Sequence, residues 1–396
     1  MFPLPTLDSE MTYTAGIIGA GRIGMAYDAS HASAYEAVPG IEIDCIADID
    51  EGVLGEYGDK WDIPDAKRFR DHENMLTNCD LDVVSIATPA QFHHQHVMEV
   101  LESPADIGAI WCEKPISTNV SDAKEMVNAC NSAGVELVIN HQLRFASPFQ
   151  ELRSAIIDDG ILGEVTSIVA QVSEGESLLR NLTHQLDLMF ALTGDRLGGQ
   201  TKQISCFGTA ADDHDTFAGD MGGRVMCLQD NGKTIYIDHC CGYNVDGGSG
   251  TDTLHLTGTE GKLSLGTWRF PKDFYRYRDR QGDGHFCDYS EPSLPNVDNA
   301  LPDIEFLKTT HPHIGSRQDT RLDPDITAFL QESMMNVVNH ITSLLNGERN
   351  TEHTAEDAVL ALEIIIGSFI SHRTSAHVSL PLQPPLGDVG KENLTG

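Results

Sequence analysis

Three short segments of this 396-residue chain place reactive or ligand-binding residue types at spacings that can support chemistry. The first is Gly19-Ala20-Gly21-Arg22-Ile23-Gly24, which follows the apolar run Thr12 to Ile18 and opens a helical pattern from Arg22 to Val38. Gly19 permits a tight turn, Gly21 lets backbone approach a pyrophosphate, and Gly24 lets the helix pack close to its strand. The helix N-terminus then offers free N–H groups and a positive dipole end to phosphates. A second apolar run, Ile41 to Ala47, ends in Asp48, whose carboxylate can accept both hydroxyls of an adenosine ribose and repels a 2′-phosphate. NAD is therefore expected ahead of NADP, with Arg22 working against that preference. Read alone, the same glycines describe an ordinary strand-to-helix turn.

The second segment is Glu113-Lys114-Pro115, directly after the strand-like Ala109 to Cys112. Open parallel sheets bind ligands beyond the carboxyl ends of their strands, so Lys114 is placed to face a nicotinamide. Composition alone favours a surface lysine beside a loop proline. The third segment is Thr183-His184-Gln185-Leu186-Asp187. His184 is a candidate proton acceptor for a substrate hydroxyl, and Asp187 at i+3 can orient its ring. A histidine at a helix start is otherwise a structural residue. The cluster His93, His94 and His96 has no Asp, Glu or Cys set at ligand spacing, so no metal is expected.

The elements that must carry these residues alternate along the first third of the chain. Strand patterns at Thr12 to Ile18, Ile41 to Ala47, Leu81 to Ala87, Ala109 to Cys112 and Val135 to Asn140 are interleaved with helical stretches, which predicts βαβ units and a parallel sheet. Beyond about residue 140 the style changes. Helices at 149–158 and 184–192 give way to strands at 165–172, 203–208, 224–228, 234–239 and 253–256 joined by Gly and Asp turns. Residues 268–324 read as an irregular insertion, and two helices follow at 326–345 and 354–371. The expected fold is an N-terminal Rossmann doubly wound parallel sheet plus a C-terminal α+β domain with a large open mixed or antiparallel sheet. The expected domains are 1–140 and 141–382, with a mobile tail at 383–396.

A formal net charge of −34, dispersed along the chain, repels nucleic acid and anionic lipid, so neither partner is expected. Dispersed acidity suits a high-salt cytoplasm, where screening relieves self-repulsion; a merely acidic protein is the plainer account. Residues 1–14 carry no basic residue and no apolar core of a signal, which predicts a cytoplasmic protein. The nine cysteines show no CxxC pair and read as buried thiols.

Taken together, the chain resembles the Gfo/Idh/MocA oxidoreductases. The likeness runs through GIIGAGRIG (16–24), the strand ending at Asp48, DVVSIATPAQFHHQH (82–96), CEKPIS (112–117), RFASPF (144–149), the G-x-L-G-E-V turn at 160–165 and AEDAVLALEIIIGSFISHRTSAHVSLPL (355–382). The resemblance implies hydride transfer between a nicotinamide and a secondary alcohol of a sugar, polyol or sugar acid. It implies Lys114 as the active-site lysine, His184 as the catalytic histidine, and Thr88, Pro89, His93 and Glu113 at the cofactor. It also implies a homo-oligomer built through the C-terminal sheet. The family pattern sets an aspartate four residues and a glycine two residues before the histidine, where this chain has Arg180 and Leu182. Arg144, Arg180, Asn181 and Asp187 are then the candidates for holding a polyhydroxylated substrate. Two alternatives within the resemblance are a dinucleotide-binding regulator or sugar sensor, and NAD-assisted elimination or hydrolysis of a glycoside.

Overall fold

Strand β1 (Tyr13–Ile18) lies between β2 (Ile41–Ala47) and β4 (Val83–Ile86), and every pairing in its six-stranded sheet is parallel. The remaining strands are β3 (Arg68–Phe69), β5 (Ala109–Cys112) and β6 (Glu136–Ile139). The order β3-β2-β1-β4-β5-β6 is that of a doubly wound dinucleotide-binding sheet, with its switch point between β1 and β4. Ile17, Val83, Val84, Ile86, Ile110 and Trp111 are buried, as strands covered on both faces require. The computed structural model describes residues 12–171, 182–194, 201–208, 223–229, 232–238, 253–266, 275–279, 324–348 and 354–388.

The described residues divide into two compact units, each drawn from separated segments. The first takes 12–113, 125–142 and 324–348; the second takes 114–124, the described parts of 143–279 and 354–388. The first unit's described helices include α1 (His31–Ala37), α2 (Glu51–Lys60), α3 (His72–Asn78), α4 (His93–Glu102) and, from far along the chain, α8 (Pro324–Leu345). Helix α8 packs on α1 and β5. Helix α5 (Val120–Ala133) leads into β6.

The expected helix over 22–38 is broken. Arg22–Ala26 forms one π-helical turn, and α1 starts afresh at His31 behind a Ser30–Ser33 capping box. The break leaves carbonyls without helical partners, and side chains supply them. Lys60 Nζ donates to Met25 O and Ala26 O at 3.1 and 2.8 Å, Trp61 Nε1 to Met25 O at 2.9 Å, and Gln331 Nε2 to Asp28 O at 2.7 Å.

The second unit holds a seven-stranded mixed sheet ordered β13-β12-β11-β7-β10-β9-β8. Its strands are β7 (Val165–Gln171), β8 (Thr201–Gly208), β9 (Gly223–Gln229), β10 (Thr234–Asp238), β11 (Thr253–Gly258), β12 (Gly261–Gly266) and β13 (Tyr275–Asp279). Among the described strands of this sheet, only β7 and β10 pair in parallel. Alternation along β10 and β11 buries Ile235, Ile237, Leu254 and Leu256 on one face. Among the described residues this unit also holds helices α6 (Ser147–Ile157), α7 (Thr183–Thr193) and α9 (Thr354–Thr374), α7 packing on both α6 and α9. Among the described residues no helix is long and apolar enough to cross a membrane.

Candidate functional site

The glycine turn is built where the parallel sheet changes winding direction. Gly19 has φ +94°, and a Cβ there would stand 2.9 Å from the carbonyl of Ala87, the residue after β4. A Cβ on Gly24 would meet Gly19 O at 2.1 Å, so the turn closes on itself only with glycine at both positions. A Cβ on Gly21 would meet nothing within 4 Å. That open side is the approach a pyrophosphate needs, while Arg22 is exposed and Ile23 half-buried beside it. Because the following helix is a single five-residue π turn, the local N–H groups of the loop, rather than a long helix dipole, face any phosphate.

Asp48 follows β2 and reaches across to the same turn. Its Oδ2 accepts the Ala20 N–H at 2.9 Å and its Oδ1 the Asp50 N–H at 2.9 Å. Each oxygen keeps a second lone pair, so the carboxylate can still accept ribose hydroxyls. The donor set and the open backbone thus fit a dinucleotide.

Across the switch point, the loop after β4 is held by the histidines of α4. His93 Nε2 meets Thr88 O at 2.8 Å and His96 Nδ1 meets Thr88 Oγ1 at 3.0 Å, with Pro89 leading into the turn Ala90–Phe92. Thr88, Pro89 and His93 are therefore one local structure.

Glu113 is buried at the carboxyl end of β5, next to the half-buried Lys114. Its Oε1 meets His31 Nε2 at 3.2 Å and accepts from Asn140 Nδ2, which follows β6. His31 stacks on Trp111, with ring centroids 3.7 Å apart, and its Nδ1 meets Ser85 Oγ at 3.0 Å. Tyr35 OH meets the same Ser85 oxygen at 2.8 Å, and burial raises its hydroxyl well above the ordinary tyrosine range. Sequence reasoning missed His31, although His31 and Tyr35 stand at i and i+4 on one helix face beside apolar alanines.

In the second unit His184 is buried in the first turn of α7. Asp187, expected to orient it, pairs with Arg144, whose Nε and Nη2 donate to its two oxygens at 2.8 and 2.5 Å. Arg144 Nη2 also donates to Asp357 at 2.8 Å. All three groups are buried. Burial disfavours the guanidinium charge, but Asp187 and then Asp357 outweigh it, so Arg144 is held charged more firmly than a free arginine. Arg144 and Asp187, expected at the substrate, tie the Gln142–Phe145 turn to α7 and to the first turn of α9. The physical reason is cost: an arginine this deep requires carboxylate partners. Arg180 and Asn181 lie outside the described residues.

Residues 13–141 match the oxidoreductase family described as having an NAD-binding Rossmann fold. Over 254 residues the chain is 29% identical to D-apiose dehydrogenase of Paraburkholderia graminis, a match covering 60% of this chain and 62% of that one. Over 155 residues it is 32% identical to D-glucoside 3-dehydrogenase of Escherichia coli, covering 38% and 40% respectively. The chain thus spans less than two thirds of either relative. Among solved structures, the WlbA dehydrogenase of Bordetella pertussis, in complex with NADH and UDP-GlcNAcA, shares the fold with a TM-score of 0.69. Its sequence identity is 18%, over 95% of this chain and 99% of that one. Through its sheet order, its glycine turn and the family match, the segment 13–141 is an NAD-binding Rossmann domain of the Gfo/Idh/MocA oxidoreductase type.

Proposed function

We propose that this protein is an NAD-dependent dehydrogenase acting on a secondary alcohol of a sugar, polyol or sugar acid. The observation that carries the reading is the glycine turn whose Ala20 N–H is held by Asp48, with open space above Gly21. The names of the relatives, a D-apiose and a D-glucoside dehydrogenase, support the substrate class. When bound, the nicotinamide supplies the hydride acceptor or donor. The chain's own residues do the rest. The turn 19–24 holds the pyrophosphate, Asp48 selects the unphosphorylated ribose, and Thr88, Pro89, His93 and Glu113 shape the remaining wall. His184 takes the hydroxyl proton, while Lys114 hydrogen-bonds the same oxygen and stabilises its developing negative charge. Arg180 and Asn181 are proposed to bind substrate hydroxyls or a carboxylate, whereas Arg144 and Asp187 act by holding α7. We further infer a cytoplasmic homo-oligomer adapted to high salt, on the strength of the −34 charge and the open seven-stranded sheet.

A cofactor-reduction screen over polyols, aldoses and sugar acids, in low and in molar KCl, tests this reading. We expect NAD reduction with one substrate class and tighter binding of NAD than of NADP. His184→Ala should lower turnover roughly 10²–10⁴-fold with NAD affinity kept. Lys114→Ala should also lower turnover more than affinity. Equal or tighter NADP binding sinks the role of Asp48, and wild-type turnover in the Lys114/His184 double variant sinks the catalytic assignment.

A further inference from the structure

We propose that His72, His96 and Glu99 form a binding site for one divalent transition-metal ion, zinc by the chemistry of its donors. His72 opens α3, while His96 and Glu99 stand at i and i+3 on α4 and so share a helix face. One donor atom from each residue lies within 4.8 Å of the other two. His72 Nε2 is 2.7 Å from Glu99 Oε2, and the His72 and His96 ring centroids are 4.6 Å apart at 66°. Two imidazole nitrogens and a carboxylate oxygen are a zinc set that leaves a fourth position for water. Donor bonds of ~2.1 Å in a tetrahedron put the donors roughly 3.4 Å apart, so the His72–Glu99 pair opens slightly and His96 closes in.

The groups behind the donors are those a metal site needs. Thr88 Oγ1 engages His96 Nδ1 at 3.0 Å, which leaves Nε2 for the ion. Gln95 Nε2 donates to Glu99 Oε1 at 2.8 Å, which leaves Oε2 for the ion. Such outer partners fix the tautomer and ring orientation of a ligating histidine and the aim of a ligating carboxylate. An ion pair accounts for His72 and Glu99 but not for His96. His72 and Glu99 side chains are 20% and 23% exposed, open enough for an ion to enter and shielded enough to favour it over water. The strongly acidic chain raises the local concentration of cations. This site is independent of the dehydrogenase reading, and it joins α3 and α4 to the Thr88 loop.

The test uses the full-length protein stripped with EDTA and titrated with ZnCl2 by calorimetry in millimolar MgCl2, with CoCl2 as the optical probe. We expect one ion per chain and the intense visible bands of four- or five-coordinate cobalt. His72→Gln, His96→Gln and Glu99→Gln should abolish the bands, and His94→Gln should leave them. Gln95→Ala, which removes only an outer partner, should weaken binding ~10–100-fold. Circular dichroism of the metal-free variants shows whether each folds, and Gln95→Ala decides the matter if a ligand variant does not. No saturable binding, or binding that the ligand variants and Gln95→Ala leave unchanged, overturns the site.

Discussion

Nε2 of the buried His31 stands 3.2 Å from Oε1 of Glu113, so an imidazole from α1 holds the carboxylate that precedes Lys114. The contact is one link of a buried chain running Tyr35, Ser85, His31, Glu113 and Asn140 across β4, β5 and the end of β6. Stacking on Trp111 sets the plane of the imidazole, and Ser85 engages its second nitrogen. His31 thus reads as a positioning residue for the turn that carries Lys114.

Two isosteric substitutions separate this role from simple packing. The amide of His31→Gln reaches where Nε2 stood and can restore the Glu113 contact, whereas His31→Asn reaches only the Ser85 side. Both create a buried polar mismatch costing about 1–3 kcal/mol. The Gln variant should retain most turnover, while the Asn variant should lose roughly tenfold or more in kcat with NAD affinity little changed. Steady-state kinetics beside chemical denaturation checks this. Equal activity losses in both variants, tracking stability alone, would remove the positioning role.

How much of this was legible in the sequence depends on how local the cause is. Most of the parallel sheet was readable because β1, β2, β4, β5 and β6 are mainly apolar runs, whereas the two-residue β3, Arg68-Phe69, carries no such pattern; the glycine turn was readable because its steric demands are confined to six residues. Helix α2 escaped notice because Gly52, Gly55 and Gly58 blur its pattern, although Asp50 caps it by accepting from Gly52 N and Val53 N at 2.8 and 3.3 Å. The break after Ala26 was invisible because the donors that stabilise it, Lys60, Trp61 and Gln331, are remote in the chain. The same holds for the candidate metal set. His96 and Glu99 form a readable i, i+3 pair, but only folding brings in His72, which lies 24 positions before His96. The Arg144–Asp187 pair was hidden for a related reason: its two residues lie 43 positions apart.

The Arg144–Asp187–Asp357 cluster carries its own prediction. Deleting the cation leaves two buried carboxylates uncompensated, so Arg144→Met should cost about 3–5 kcal/mol in urea unfolding. Removing both carboxylates as well, in the triple variant Arg144→Met, Asp187→Leu, Asp357→Leu, should recover most of that loss, since apolar side chains need no desolvated partners. Because α7 also carries His184, Asp187→Asn should reduce kcat as well as stability. A triple variant as unstable as Arg144→Met would show that the cluster contributes more than compensation of buried charge.

Acid should destabilise the metal-free protein through the α4 cluster. Desolvation, then His72, lower His96 from 6.5 to about 4, so the unfolded chain takes up this proton before the folded one. Stability is therefore full above pH 6.5, falls as pH drops toward about 4, and levels off below it. Complete expression of that difference would be worth ~3 kcal/mol, a ceiling because the site is partly open to solvent. Glu99 adds a second loss at lower pH. Burial opposes its charge, but hydrogen bonds from Gln95 and His72 outweigh this and hold it below its ordinary value of 4.5, so its contribution is present above 4.5 and disappears under it. Urea unfolding in EDTA at a series of pH values, for the wild type and for His96→Gln, isolates the histidine. The variant should lack the portion of the decline between pH 6.5 and 4 and keep the portion below 4.5. Parallel curves for the two proteins would mean that His96 takes up its proton as readily in the folded state as in the unfolded one.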